Sequence, residues 1–204
     1  GCNRFTEAES TRAVLRGGER LTMRVQRMLM TERTLAREFT RAQISSRFPT
    51  NGTVLPPGDH YKRLVDSRFS EWRLTVDGLV RDRLSLSLNE LRDLPSRTQI
   101  TQHQCDEGWT AIGEWTGVQV GRLLQMAAPA AAARYVVFHC LDAISSLGGQ
   151  HYYESLDPFD AYHPQTILAH AMNGGDLPVE HGAPVRLRAE FHIGYKNAKF
   201  VERL

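Results

Sequence analysis

The sequence predicts an α+β fold, one large domain of short strands mixed with short helices, preceded by a basic helical arm. Three observations point there. The chain has 204 residues, 41% hydrophobic and 24% charged, enough for one sizeable core. Apolar runs of strand length mix with short helical patterns, without the regular strand–helix alternation of a doubly wound sheet. Charge is also unevenly spread. Residues 1–47 hold ten Arg against five Glu, a net +5, while residues 48–204 hold fifteen Lys and Arg against eighteen Asp and Glu, a net −3. The division is therefore an arm of residues 1–43 and a domain of residues 44–204.

Residues 11–41 carry a helical pattern, broken at Gly17-Gly18. Leu21, Val25, Met28, Leu29, Leu35, Ala36 and Phe39 form one apolar stripe, and most of the arginines lie off it. A helix of this kind fits an anionic membrane surface, and it fits equally well packed on its own domain. Ile44–Thr53 is loop by composition, with Pro49 and Asn51-Gly52 as turn residues, and Pro56-Pro57-Gly58 prolongs it. Trp72–Val76 alternates like a strand, Asp77-Gly78 turns it, and Leu84–Leu86 returns. Ser87 and Glu90 have capping-box spacing, so a short helix runs to about Asp93, before Pro95.

A strand-like segment then leads to Cys105. Glu114–Val118 reads as loop, and Val120–Ala128 as a helix ended by Pro129. Tyr135–Cys140 is a buried strand by its apolar run, and residues 141–151 are loop. Asp157–Ala161 starts a short helix. Thr166–Met172 is compatible with helix or strand. Asn173-Gly174-Gly175 and Pro178 are turn chemistry, Val185–Glu190 is a strand, and Gly194–Lys199 is a final loop.

The chemistry centres on Thr98–Trp109, which holds Cys105 between His103 and Glu107. A thiolate at a strand end is both a nucleophile and a soft metal ligand. Cys2, Cys105 and Cys140 form no C-x-x-C pair, which leaves a cysteine-rich zinc site and c-type haem attachment unsupported. A net charge of +2 gives no support for a nucleic-acid partner, and no apolar run reaches spanning length. Nucleotide-binding, Walker, H-E-x-x-H and G-x-S-x-G patterns are absent. Four polar clusters remain: Arg47–Asn51, His103–Glu107, His181–Arg186 and Lys196–Lys199. A phosphorylated cofactor beside a reactive Cys accounts for all four, since Arg and Lys meet anions where Gly and Pro let the backbone approach. A Cys-dependent hydrolase is the alternative from another class, with His103, His139, His181 or His192 as its base.

Taken together and in order, several motifs resemble the molybdopterin-binding domain of the sulfite oxidase superfamily. The match is strongest to its bacterial branch, the methionine-sulfoxide reductase catalytic subunit and its relatives. The motifs are Arg47–Gly52, Trp72–Gly78, Cys105–Trp109, Trp115–Gly117, Met172–Gly174, His181–Arg186 and Gly194–Lys199. The resemblance implies that Cys105 is the protein ligand to molybdenum, with Cys105 and Glu107 as the catalytic pair. It implies cofactor contacts from Arg47, Thr50, Asn51, Cys140, His181, Arg186, Asn197, Ala198 and Lys199, with one molybdenum–pterin group per chain. The implied reaction is two-electron oxygen-atom transfer that reduces a sulfoxide or similar X=O group, on a small molecule or a protein. A cofactor-binding protein without turnover is the other reading. The chain carries no haem or flavin motif, so electrons are expected from a separate partner, such as a membrane haem protein. Gly1-Cys2 resembles the end of a lipoprotein signal. With the basic arm, it gives the expectation of a periplasmic protein anchored at Cys2 or held at the inner membrane.

Overall fold

The computed structural model describes residues 9–29, 34–144 and 149–204, so Gly1-Cys2 lies outside the described residues. The chain divides into two compact units, Gly1–Thr34 and Leu35–Leu204. In the first, one helix, α1, spans Glu9–Leu29 and runs straight through Gly17-Gly18. Each glycine costs a helix only about 1 kcal/mol against Ala, which the expected break overstated. Val14, Leu15, Leu21, Val25 and Met28 are exposed on it. No described helix is long and apolar enough to cross a membrane.

The larger unit starts at Leu35 rather than Ile44. Residues expected to continue the helical stripe are extended there. Phe39 N–H donates to the Ile100 carbonyl at 2.8 Å, and Glu38 forms a β-bridge with Thr101. The Gln165 side chain holds Ala36 by both its N–H and its C=O, at 2.7 and 3.1 Å. Pairing with distant residues overrides the local helical period.

Two sheets organise the domain. Strands β1 (Arg73–Val76) and β2 (Leu84–Ser87) pair antiparallel as expected. The link between them is longer than a two-residue turn, with Val80 bridging Pro129. Helix α2 (Asp59–Asp66) precedes them and buries Tyr61 and Leu64; the Pro-Pro-Gly before it hid this short amphipathic pattern from the sequence reading. Helix α3 (Leu88–Asp93) begins at the Ser87/Glu90 capping box, with both reciprocal bonds formed. Strands β3 (Ser96–Gln104) and β4 (Thr110–Gln119) form an unbroken antiparallel hairpin.

β4 corrects the loop expected at Glu114–Val118. Trp115 and Val118 are wholly buried in it. Its glycine has a packing reason, since a Cβ on Gly117 would stand 2.1 Å from the Leu168 carbonyl oxygen. Helix α4 (Val120–Ala127) closes with Ala128 in the left-handed conformation before Pro129. Strands β5 (Val136–Ala143) and β6 (His151–Leu156) follow, then α5 (Pro158–Ala161), capped by Asp157. Thr166–Met172 resolves as a strand, β7 (Ile167–Met172), followed by β8 (Gly175–Asp176), β9 (Arg186–Arg188) and β10 (Val201–Arg203).

One sheet has the order β2-β1-β10-β5-β6, with β10 parallel to β1. The other has the order β3-β4-β7-β8, with β9 also on β7. Trp72, Leu74, Leu123, Phe138, Leu187 and Phe200 belong to the main core. A smaller cluster around Trp115, Ile167 and Met172 lies beside Phe48.

Candidate active site

The inward face of β3 carries Gln99, Thr101 and His103, all buried, and Cys105 follows at the strand end. A tight turn fixes it. Cys105 N–H donates to the Trp109 carbonyl at 2.9 Å, and Gly108 N–H donates back to the Cys105 carbonyl at 3.1 Å. Gly108 has φ +90°, which explains glycine at this point of C-D-E-G-W. The thiol is only 8% exposed. Its sulfur accepts from Asn51 Nδ2 at 3.0 Å and from Glu107 N–H at 3.4 Å, and its proton faces Asp106 Oδ1 at 3.7 Å. Burial pushes its pKa up, the Glu107 N–H opposes this, and the Asp106 and Glu107 carboxylates add to the rise. The alternative of a hydrolase needs a thiol driven the other way, towards thiolate, by a cationic neighbour.

Two buried cations stand behind the groups that surround this thiol: Lys199, bonded to the Asn51 loop, and Arg186, close to Lys199. Arg186 on β9 donates from Nη1 to the His181 carbonyl and from Nη2 to the Asn197 carbonyl, both at 3.0 Å. Its guanidinium lies 5.0 Å from the Trp115 ring centroid. Burial, and then repulsion from Arg188, lowers its pKa to about 9. Among the described residues, its Nε has no hydrogen-bond partner. Lys199 is lowered to about 8 by burial and by Arg186. Its ammonium donates to the carbonyls of Asn51, at 2.8 Å, of Glu180, at 3.1 Å, and of Thr53. Lys199 thus pins the loop from which Asn51 reaches Cys105. His181 is held near pKa 4 by burial and by Arg186, and Phe48 meets its ring edge-on at 5.4 Å.

The other predicted residues fall into three groups. Asn197 and Ala198 shape the last loop: Asn197 Oδ1 accepts from Ala189 N–H at 2.9 Å, and the Ala198 carbonyl accepts from Leu187 N–H at 2.8 Å. Arg47 and Thr50 are exposed on the Asn51 loop, and Glu107 is exposed beside Cys105, accepting from Trp109 Nε1 at 3.2 Å. Cys140 stands apart. It is wholly buried in the main core, its thiol donates to the Phe138 carbonyl at 3.8 Å, and burial pushes its pKa up.

Sequence reasoning missed Arg188 and Glu190. They form an ion pair at 2.7 Å with both side chains 1% exposed. Arg188 Nη1 donates to His103 Nδ1 at 2.9 Å, so the His103 proton sits on Nε2. Burial first, and then Arg188, lowers the His103 pKa to about 2. The available signal was Arg186, Arg188 and Glu190 at a spacing of two within an otherwise apolar strand.

The arrangement suits an anionic cofactor carrying a metal. Two desolvated cations and an orphaned guanidinium N–H need an anion. Cys105 has two N–H donors in place for a thiolate. Among the described residues, no cluster of three or more His, Cys, Asp or Glu is disposed to hold a metal, so further ligands would have to come with the cofactor. A cavity of about 550 Å³ elsewhere, lined by Leu79, Tyr135 and Tyr162, contains none of these residues.

This combination of fold and site defines a class, and comparison with known proteins shows the same one. Residues 61–204 match the oxidoreductase molybdopterin binding domain, and the chain belongs to that family. It is 37% identical over all 204 residues to a protein of Azospira oryzae named as a protein-methionine-sulfoxide reductase subunit, YedZ1, covering 72% of that protein. It is 34% identical over 160 residues to the protein-methionine-sulfoxide reductase catalytic subunit MsrP of Xanthomonas axonopodis pv. citri, spanning half of that relative's length. The fold is shared with the sulfane dehydrogenase SoxCD of Paracoccus pantotrophus, with a TM-score of 0.57 at 22% identity, over 66% of this chain and 37% of that one.

Proposed function

We propose that the domain holds one molybdenum–pterin group per chain and reduces a sulfoxide or similar X=O compound. The observation that carries this is the thiol of Cys105, with its Asn51 and Glu107 N–H donors, joined through Asn51 to the buried Lys199, which in turn lies close to the buried Arg186. The names of the Azospira and Xanthomonas relatives support the sulfoxide as substrate. When bound, the group supplies two-electron oxygen-atom transfer, in which X=O, two electrons and two protons give X and water.

The chain's own residues bind and orient. Cys105 would ligate the metal as thiolate, and the Asn51 and Glu107 N–H groups would hold its charge. Arg186 Nε and Lys199 would face the cofactor's anionic part, with His181 as a neutral neighbour. The exposed Glu107 carboxylate, two residues from the thiol, would deliver protons from solvent. Electrons would come from a separate membrane haem partner. A periplasmic site at the inner membrane fits the basic, amphipathic α1. Cell fractionation of the full-length gene product tests that location, and recovery only in the cytosol would overturn it.

Cys105→Ser replaces a soft ligand by a hard, poorly ionised hydroxyl. Turnover with a reduced dye should vanish while much of the pterin and the fold remain. Wild-type turnover in that variant would refute the assignment. A wild-type protein that retains pterin but never turns over would favour the storage reading.

A further inference from the structure

Among the described residues, main-chain groups on the edge of β3 next to Cys105 have no partner. Residues 36–39 run antiparallel to β3 only as far as the bridge between Glu38 and Thr101. Upstream of that bridge, both main-chain groups of Ala36 turn to the Gln165 side chain instead. In an antiparallel strand, alternate residues turn their N–H and C=O to the same side. Ile100 faces Phe39, so Gln102 and Gln104 face that way too, because the β3–β4 register has no break. Among the described residues, nothing pairs with the Gln102 carbonyl or with the N–H and C=O of Gln104.

A groove of about 330 Å³ opens over these groups, between Arg37 and Phe39 on one side and Gln102 and Gln104 on the other, with Phe191 and Ile193 beside them. It leads to the thiol. Gln104 precedes Cys105, and Ile193 precedes Gly194, where a Cβ would stand 3.2 Å from Cys105 Cα.

We infer that this groove binds an extended polypeptide as an added strand on β3, which presents an oxidised side chain to the Cys105 site. The inference rests on the sulfoxide-reducing function proposed above and specifies how its substrate is held. Two carbonyls and one N–H at two-residue spacing match the main chain of an extended peptide, whereas dimethyl sulfoxide, which has an acceptor and no donor, can meet the N–H alone and neither carbonyl. Strand addition draws affinity from the main chain and tolerates varied side chains. Because side chains alternate, a peptide residue level with position 105 projects on the face that carries Cys105.

The test uses the cofactor-loaded protein with a reduced dye as the source of two electrons per turnover. The substrates are dimethyl sulfoxide and an eight-residue peptide with one methionine sulfoxide, N-methylated at one backbone position at a time. The peptide should exceed dimethyl sulfoxide in kcat/KM by about tenfold or more. N-methylation at two positions two residues apart should each lower kcat/KM several-fold to about tenfold, with the position between them unaffected. Gln104→Pro removes an N–H that the β3–β4 ladder does not use. It should lower peptide turnover several-fold more than it lowers dimethyl sulfoxide turnover. A flat response to N-methylation, with dimethyl sulfoxide still reduced, would overturn the docking mode alone. Failure to reduce either substrate would overturn the proposed reaction and the docking mode with it.

Discussion

Replacing Arg186 by Met should separate cofactor binding from folding. The guanidinium's pKa falls from 12.5 to about 9, so at about 1.36 kcal/mol per pH unit its charge costs the cofactor-free fold about 5 kcal/mol. The folded pKa is the lower one, so the unfolded chain holds the proton more tightly. The cost is therefore complete below about pH 9 and fades towards pH 12.5. Against it stand two bonds to the His181 and Asn197 carbonyls, worth about 1.5–3 kcal/mol each because the donor is charged. The two effects nearly offset, and Arg186→Met should move the melting temperature of the cofactor-free protein by only a few degrees. Cofactor binding has no such compensation. Loss of one charge-assisted bond of about 1.5–3 kcal/mol weakens affinity about tenfold to about 150-fold. Pterin and molybdenum content after dilute purification reads this directly, and Arg186→Lys should rescue it only in part. Unchanged cofactor content in Arg186→Met would refute the reasoning, and so would collapse of the cofactor-free melt.

Three further outcomes follow from the packing and charge. His181 and His103 have folded pKa values of about 4 and about 2, below the ordinary 6.5, so the unfolded chain gains protons first as pH falls. Stability should drop as pH falls from about 6.5 towards 4, with His181→Asn removing part of the slope in urea midpoints; a flat profile would contradict this. Gly117→Ala places a Cβ against the Leu168 carbonyl and Ala169 Cα, both backbone atoms, and should cost about 3 kcal/mol or more in urea unfolding. Ser87→Ala breaks the reciprocal cap with Glu90 and should cost about 1 kcal/mol while leaving pterin content unchanged.

Local chemistry made part of this protein readable from sequence alone. The Ser87/Glu90 box, the Pro129 stop and the Asp157 cap act over a few residues, and each marks a helix end where the sequence places it. The motif set around Cys105, His181–Arg186 and Gly194–Lys199 carried the family, because glycines, cations and a thiol at those places suit one kind of cofactor. Tertiary structure decided what depends on partners far along the chain. Strand β10 exists because it fits between β1 and β5, and the Glu114–Val118 strand because Gly117 lets β7 approach. Residues 35–39 kept a helical period yet are extended, because the β3 edge and Gln165 supply their hydrogen bonds. The same holds within the site. Sequence named Lys199 as a cation for the cofactor, but only the fold shows its ammonium donating to the carbonyls of Asn51, Thr53 and Glu180. Likewise, only the fold places Cys140 in the core and sets Arg188 against His103, because burial and the direction of a side chain are properties of the packed chain.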